Sequence, residues 1–267
     1  MKLPYTLAFL ILFAPLRLSP QIMPLKEAFG KKPMKIDSAF KSRAEQLPAK
    51  RQGGISKMLK YDFAEYSMES VKHKPVISKG GFGFLSFAGK EVRKTSYSFD
   101  LTNKQSDTAR IFSALVINNE LSRSYYFFEG FGGEQIDKST DIYTSNISLT
   151  GDTSHWEILV LDRMRFMEES KPEVIGTITN GQRRFLIRLV AEFENGEKAK
   201  LTSPGFELLE GGEIRMTVQY IGSSMKPIIW IEKDLDHGTR FVLIATAASL
   251  ITRIDEASAD NRSMMGD

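Results

Sequence analysis

The sequence predicts a mainly β fold, a jelly-roll-like antiparallel β-sandwich with one short helix, preceded by a basic, poorly structured N-terminal arm. Three observations predict it. Beyond Gly83 the apolar residues recur at period two, as on half-buried strands. Turn dipeptides, Asn180–Gly181 and Asn195–Gly196, separate these runs at short intervals. Strand-like runs do not alternate with the helical patterns that build a parallel sheet. With 267 residues, 42% of them hydrophobic and 26% charged, the chain is neither disordered nor a multi-span membrane protein.

The first segment is 1–21. Residues 3–16 (LPYTLAFLILFAPL) are mostly apolar, with Lys2 ahead and Arg17 behind. The run is shorter than the roughly twenty residues that cross a bilayer as a helix. It has the outline of a signal peptide, without a small-x-small cleavage pair before Gln21. A cleaved signal, an uncleaved membrane-inserting anchor and an amphiphilic arm docked on a partner all fit it.

Residues 22–82 read as a basic arm or linker, broken at Pro24, Pro33, Pro48 and Gly53–Gly54. Short helices are expected around 38–46 and 55–65, neither with a long apolar stripe. Residues 1–60 hold twelve Lys/Arg against three acids, a net +9 in a chain whose total is +3, so the remainder carries −6. An arm of this charge is attracted to membrane or nucleic-acid phosphates, or to the acidic faces of neighbouring subunits. The plain alternative is a solvated basic linker. The candidate partner-binding residues are Lys26, Lys31, Lys32, Lys35, Lys41, Arg43, Lys50 and Arg51.

Residues 83–255 form the predicted sandwich domain. Tyr97, Phe99 and Leu101 alternate with polar neighbours, and 109–117 is apolar and β-rich. Further strands are expected at 125–131, 142–149, 173–179, 185–194, 198–202, 214–220, 227–232 and 239–247. One stretch departs from period two. Trp156, Leu159, Val160, Met164 and Met167 recur at helical spacing behind the capping pattern Ser154-x-x-Glu157, and Lys171–Pro172 ends the predicted helix. Residues 256–267 read as a flexible polar tail.

The absence of cysteine excludes disulfides, thiol catalysis, iron–sulfur clusters and thiolate zinc sites. Asp234, Asp236 and His237 are the tightest cluster of potential metal ligands, but they lack the further oxygens of a calcium loop and read as a solvated turn. His73 sits between lysines, His155 beside Trp156, and neither Ser86 nor Ser98 has a nucleophile-elbow motif around it. The Gly-Gly-Phe-Gly run at 80–83 does not complete a dinucleotide-binding pattern. Phe127, Phe128 and Phe131, among Gly130, Gly132 and Gly133, fit either a sugar or protein contact or core packing beside a turn. No catalytic residue, cofactor or metal is expected.

Three stretches resemble the jelly-roll capsid proteins of small tailless phages: 97–103 (YSFDLTN) with 109–117, 172–182 (PEVIGTITNGQ), and the β series 184–247. The resemblance covers about half the chain. It implies a non-catalytic virion subunit that self-associates into an oligomer or shell, with its arm reaching genome or membrane. The rival expectation is an exported bacterial β-sandwich, secreted, periplasmic or at the cell surface, that binds carbohydrate or protein. Its contact residues would be 125–131 with Trp156 or Trp230.

Overall fold

A computed structural model describes residues 33–52, 60–80, 88–105, 107–124, 133–151, 154–161, 174–198, 204–220 and 227–264. A short helix, α1 (Ser38–Arg43), leads into β1 (Ala44–Gln52), β2 (Lys60–Phe63), β3 (Tyr66–Gly80), β4 (Ala88–Thr102), β5 (Thr108–Ser124) and β6 (Gly133–Leu149). The chain continues through β7 (His155–Leu161), β8 (Val174–Thr179), β9 (Arg184–Leu189), β10 (Gly205–Glu210), β11 (Glu213–Gln219) and β12 (Ile228–Glu232) to a long helix, α2 (His237–Met264). Each strand pairs with its sequence neighbour, β1 pairs with β12, and all pairings are antiparallel. The result is a closed up-and-down barrel.

The jelly-roll sandwich is therefore wrong. Period-two burial reports that a strand has one covered face. It does not report whether that face meets a second sheet or curls around onto itself. The chain curls, and twelve strands enclose more space than their own side chains fill, since eight already suffice for a packed interior.

The helix α2 fills that space. All residues from 241 to 251 are buried, as a helix apolar on every side must be. Ala245, Ala247 and Ala248 keep its girth small. The strand expected at 239–247 is thus the first part of this helix. An unbroken apolar run has no period to read, and only its length separates the two forms. The polar tail expected from 256 is helical as far as Met264.

Two further expectations change. The helix predicted from Trp156 begins instead as β7, with Trp156, Ile158 and Val160 inward and His155, Glu157, Leu159 and Leu161 outward; 162–173 lie outside the described residues. The arm predicted at 22–82 is, over its described part, α1 and three strands of the barrel wall. Leu47, Ala49, Tyr61, Phe63, Tyr66 and Met68 are among its buried residues. These strands bury only two or three side chains each, so lysines and prolines masked them in the sequence.

Inward positions are mostly apolar, with Glu91, Thr95, Ser113, Asn119, Asp141 and Ser145 as buried polar exceptions on β4–β6, and outward ones mostly polar, the reverse of a barrel whose outer face meets lipid. The two ends also differ. At one end the connections are two to five residues long: 64–65, 103–107, 150–154, 180–183, 211–212 and 233–236. Gly211 and Gly212, at φ 61° and 91°, make the two-residue turn between β10 and β11. The predicted Asn180–Gly181 turn joins β8 to β9, with Asn180 Oδ1 accepting from the N–H groups of Gln182 and Arg183. At the other end the connections run from seven to fifteen residues: 53–59, 81–87, 125–132, 162–173, 190–204 and 220–227. The strands β3–β6 are 15 to 17 residues long and the others four to nine. Their upper parts stand above the rim as a four-stranded wall. Among the described residues, neither β2 nor β7 pairs with them beyond Ser67 and Ile142.

Candidate functional site

At the short-turn end, the Asp-x-Asp-His cluster begins α2. Asp236 Oδ1 accepts from the Thr239 N–H at 2.8 Å, and its Oδ2 from the Thr239 hydroxyl at 2.6 Å, which is helix N-capping. Partial burial pushes the Asp236 carboxyl up, but the Thr239 hydrogen bonds and the Arg183 charge outweigh it and hold it below its ordinary range. His237 Nε2 turns instead to Asp107 Oδ2 at 2.8 Å. Hydrogen bonds from Asn103 and His237 lower the Asp107 carboxyl. Asp236 and His237 thus serve different partners. Among the described residues no group of three or more His, Asp or Glu is gathered for a metal ion.

Midway up the lumen the apolar core is interrupted. Ser113, Tyr143, Ser145 and Ser249 are buried together. Ser113 Oγ lies 2.9 Å from Ser145 Oγ and 3.1 Å from Ser249 Oγ. The Tyr143 hydroxyl lies 2.5 Å from Ser249 Oγ and donates within reach of the Ser249 carbonyl oxygen at 3.1 Å. Burial pushes the Tyr143 hydroxyl up against the opposing pull of these hydrogen bonds. These four hydroxyls bond to one another, and the arrangement fixes the height of α2 against β5 and β6. One turn further along, Arg253 is buried over the Tyr143 ring, 5.6 Å from its centre. Burial lowers its guanidinium, with the Asp141 charge opposing.

On the outside, the raised wall has a different character. Strand register places Val76, Lys94, Val116, Ile142 and Leu161 side by side on β3 to β7, each the direct neighbour of the next. The adjacent row is Lys74, Ser96, Ala114, Thr144 and Leu159. Val76 is 58% exposed and Leu161 55%, although nothing in an ordinary surface strand requires large apolar side chains there. Lys72, Lys74, Lys90 and Lys94 stand among them, also exposed. A depression of about 170 Å³ lies on β4–β6 beside Lys90, Asn118 and Thr140, smaller than pockets that take organic ligands.

The predicted partner-binding residues fare differently. Lys26, Lys31 and Lys32 lie outside the described residues. Lys35 Nζ is 2.6 Å from Glu192, and Lys41 is 3.6 Å from Glu194 and lies over the Trp230 ring. Arg43 reaches Glu213 at 3.1 Å and Glu232 at 3.0 Å. These three cations from the supposed arm therefore meet acids of the supposed body within one barrel. Lys50 and Arg51 are exposed at the long-loop end of β1. Of the aromatic candidates, Trp156 is buried against Phe185, and 125–131 lie outside the described residues. His155 is outward on β7, with Nδ1 3.0 Å from Ser148 Oγ; Ser98 is outward on β4, and Ser86 is not described. The wall was missed because its rows are assembled across strands and have no local motif. No described helix is long and apolar enough to cross a membrane. No protein-family model, curated protein or solved structure matches the chain.

Proposed function

We propose that this protein is a non-enzymatic docking scaffold: a barrel kept rigid by its own helix that holds a raised wall against a partner surface. The observation that carries the reading is the outward row Val76, Lys94, Val116, Ile142 and Leu161, exposed at every position but the half-buried Val116. Surface aliphatics scattered singly need no explanation, but neighbours in register, rimmed by cations, mark a contact face. Two other features support it. The lumen is occupied by α2, whose residues 241 to 251 are all buried. The polar outward face suits a barrel standing in water, and the strands of four to seven residues fall short of the nine to eleven that span a bilayer.

Site-specific photo-crosslinking tests the reading. A photoreactive residue at Leu161 is expected to give a discrete adduct in the cells that make the protein, and excess unlabelled protein should compete it away. The same group at Lys50 should give none. An adduct from Lys50 and none from Leu161 would return the contact to the cations of β1.

A further inference from the structure

We infer that the surface docked by the raised wall is an anionic lipid bilayer, met by the outward face of β3–β6; the inference rests on the docking reading above. The lysines of this face differ from many of the other cations in the barrel. Arg110 is paired with Asp100, Arg183 with Glu210, Arg188 with Glu207, Arg215 with Glu232 and Arg240 with Glu45. Lys72, Lys74, Lys90 and Lys94 have no ion-pair partner among the described residues. The exposed acids on the same rows, among the described residues, are Glu120, opposite Lys90, and Glu157, at the β7 end of the row that Lys72 begins. Four cations against two acids leave a net positive patch, available to an external anion.

The apolar side chains decide which anion. Single-stranded nucleic acid is gripped by successive aromatic rings, whereas the exposed apolar side chains of this face are mostly aliphatic, Val76, Ile142, Leu159 and Leu161, with Phe112 the one exposed aromatic ring among its described residues. Aliphatic side chains enter the boundary between headgroups and acyl chains, and lysines beside them lie along the apolar surface while their ammonium groups reach phosphate. The row extends about 19 Å across five strands at the usual spacing.

Vesicle sedimentation of the full chain tests this. Vesicles of phosphatidylcholine with phosphatidylserine should bind the protein, and vesicles of phosphatidylcholine alone should not. Binding should fall steeply between about 50 and about 200 mM salt. Lys72→Glu with Lys94→Glu should weaken it about tenfold or more. Ile142→Ser with Leu161→Ser should abolish the part that survives at high salt. All four side chains are exposed or at the rim, so unchanged thermal melting certifies the fold of both variants. Absent vesicle binding would overturn the inference. So would binding untouched by the charge reversals, which places the contact elsewhere in the chain, residues 3–16 included. Binding of duplex DNA through the same lysines, without vesicles, would also overturn it. If the Leu161 crosslink persists in any of these cases, the docking reading stands and the lipid assignment alone falls.

Discussion

Asp236 shows how much one side chain does at the mouth of the barrel. It caps α2 through Thr239, and its charge faces Arg183, whose Nη1 is also bonded to the Thr239 hydroxyl and whose Nε reaches Glu210 at 2.8 Å. Its carboxyl is held below the ordinary carboxylate range, so the stabilisation is complete above the unfolded value of about 4. It is lost as pH falls through the lower folded value. Replacing it by alanine should cost about 1 kcal/mol at neutral pH, the usual loss of a cap. Asp236→Asn keeps an acceptor for the Thr239 N–H, while it removes the charge and puts an amide NH2 in place of the oxygen that accepts from the Thr239 hydroxyl. Because the side chain is 67% exposed, solvent screens the charge part and the neutral-pH loss should be small. Urea titrations at successive pH values should give Asp236→Asn a shallower acid limb than the parent. Superimposable limbs would mean that the carboxylate charge has no part in holding the helix.

Among the elements, β10 shows why close packing rather than propensity determines tolerance. A Cβ on Gly205 would fall on the Val218 carbonyl oxygen of β11 and on the sulfur of the buried Met34. Backbone cannot yield there as a flexible side chain would, so Gly205→Ala should destabilise by about 1–3 kcal/mol. Gly80→Ala, at the open top of β3 with nothing within 4 Å, should stay within about 0.5 kcal/mol of the parent in the same denaturation assay. Elements of this kind were unevenly legible in the sequence. The strands from Tyr97 onward, and those around Phe185 and Met216, were readable because each buries a long alternating set beside a marked turn. Trp156 and Val160, four residues apart, fit both the helical and the strand period, and Leu159, outward on β7, completes a helical pattern over so short a span. The docking face was not readable at all. Val76, Lys94, Val116, Ile142 and Leu161 are eighteen to twenty-six residues apart in sequence and become neighbours only through register. The charge partition misled in the same way, because Lys35, Lys41 and Arg43 pair with distant acids that no local pattern announces.

For the molecule as a whole, the closed barrel and α2 depend on each other. The wall lines its lumen with side chains such as Phe99, Leu101, Ile111, Ile147, Phe185 and Leu208, all essentially inaccessible to water. From the helix side, Phe241, Val242, Leu243, Ile244, Leu250 and Ile251 are buried as well. At about 1.5–3 kcal/mol for each large apolar side chain, these six alone contribute on the order of the entire stability of an ordinary domain. Twelve strands without the helix would have to keep a wide apolar channel wet or collapse around it, and neither leaves a uniquely packed state. A chain ending at Asp236 should therefore show no cooperative urea transition and should bind hydrophobic dyes. Adding residues 237–267 as a separate peptide should restore the transition, because the Ser249 hydroxyl contacts and the Asp236 cap specify where the helix stops along the lumen. Cooperative unfolding of the truncated chain, with an unchanged dependence on urea, would show that the strands close on a core of their own. The helix would then be an occupant of the barrel and no longer part of its fold.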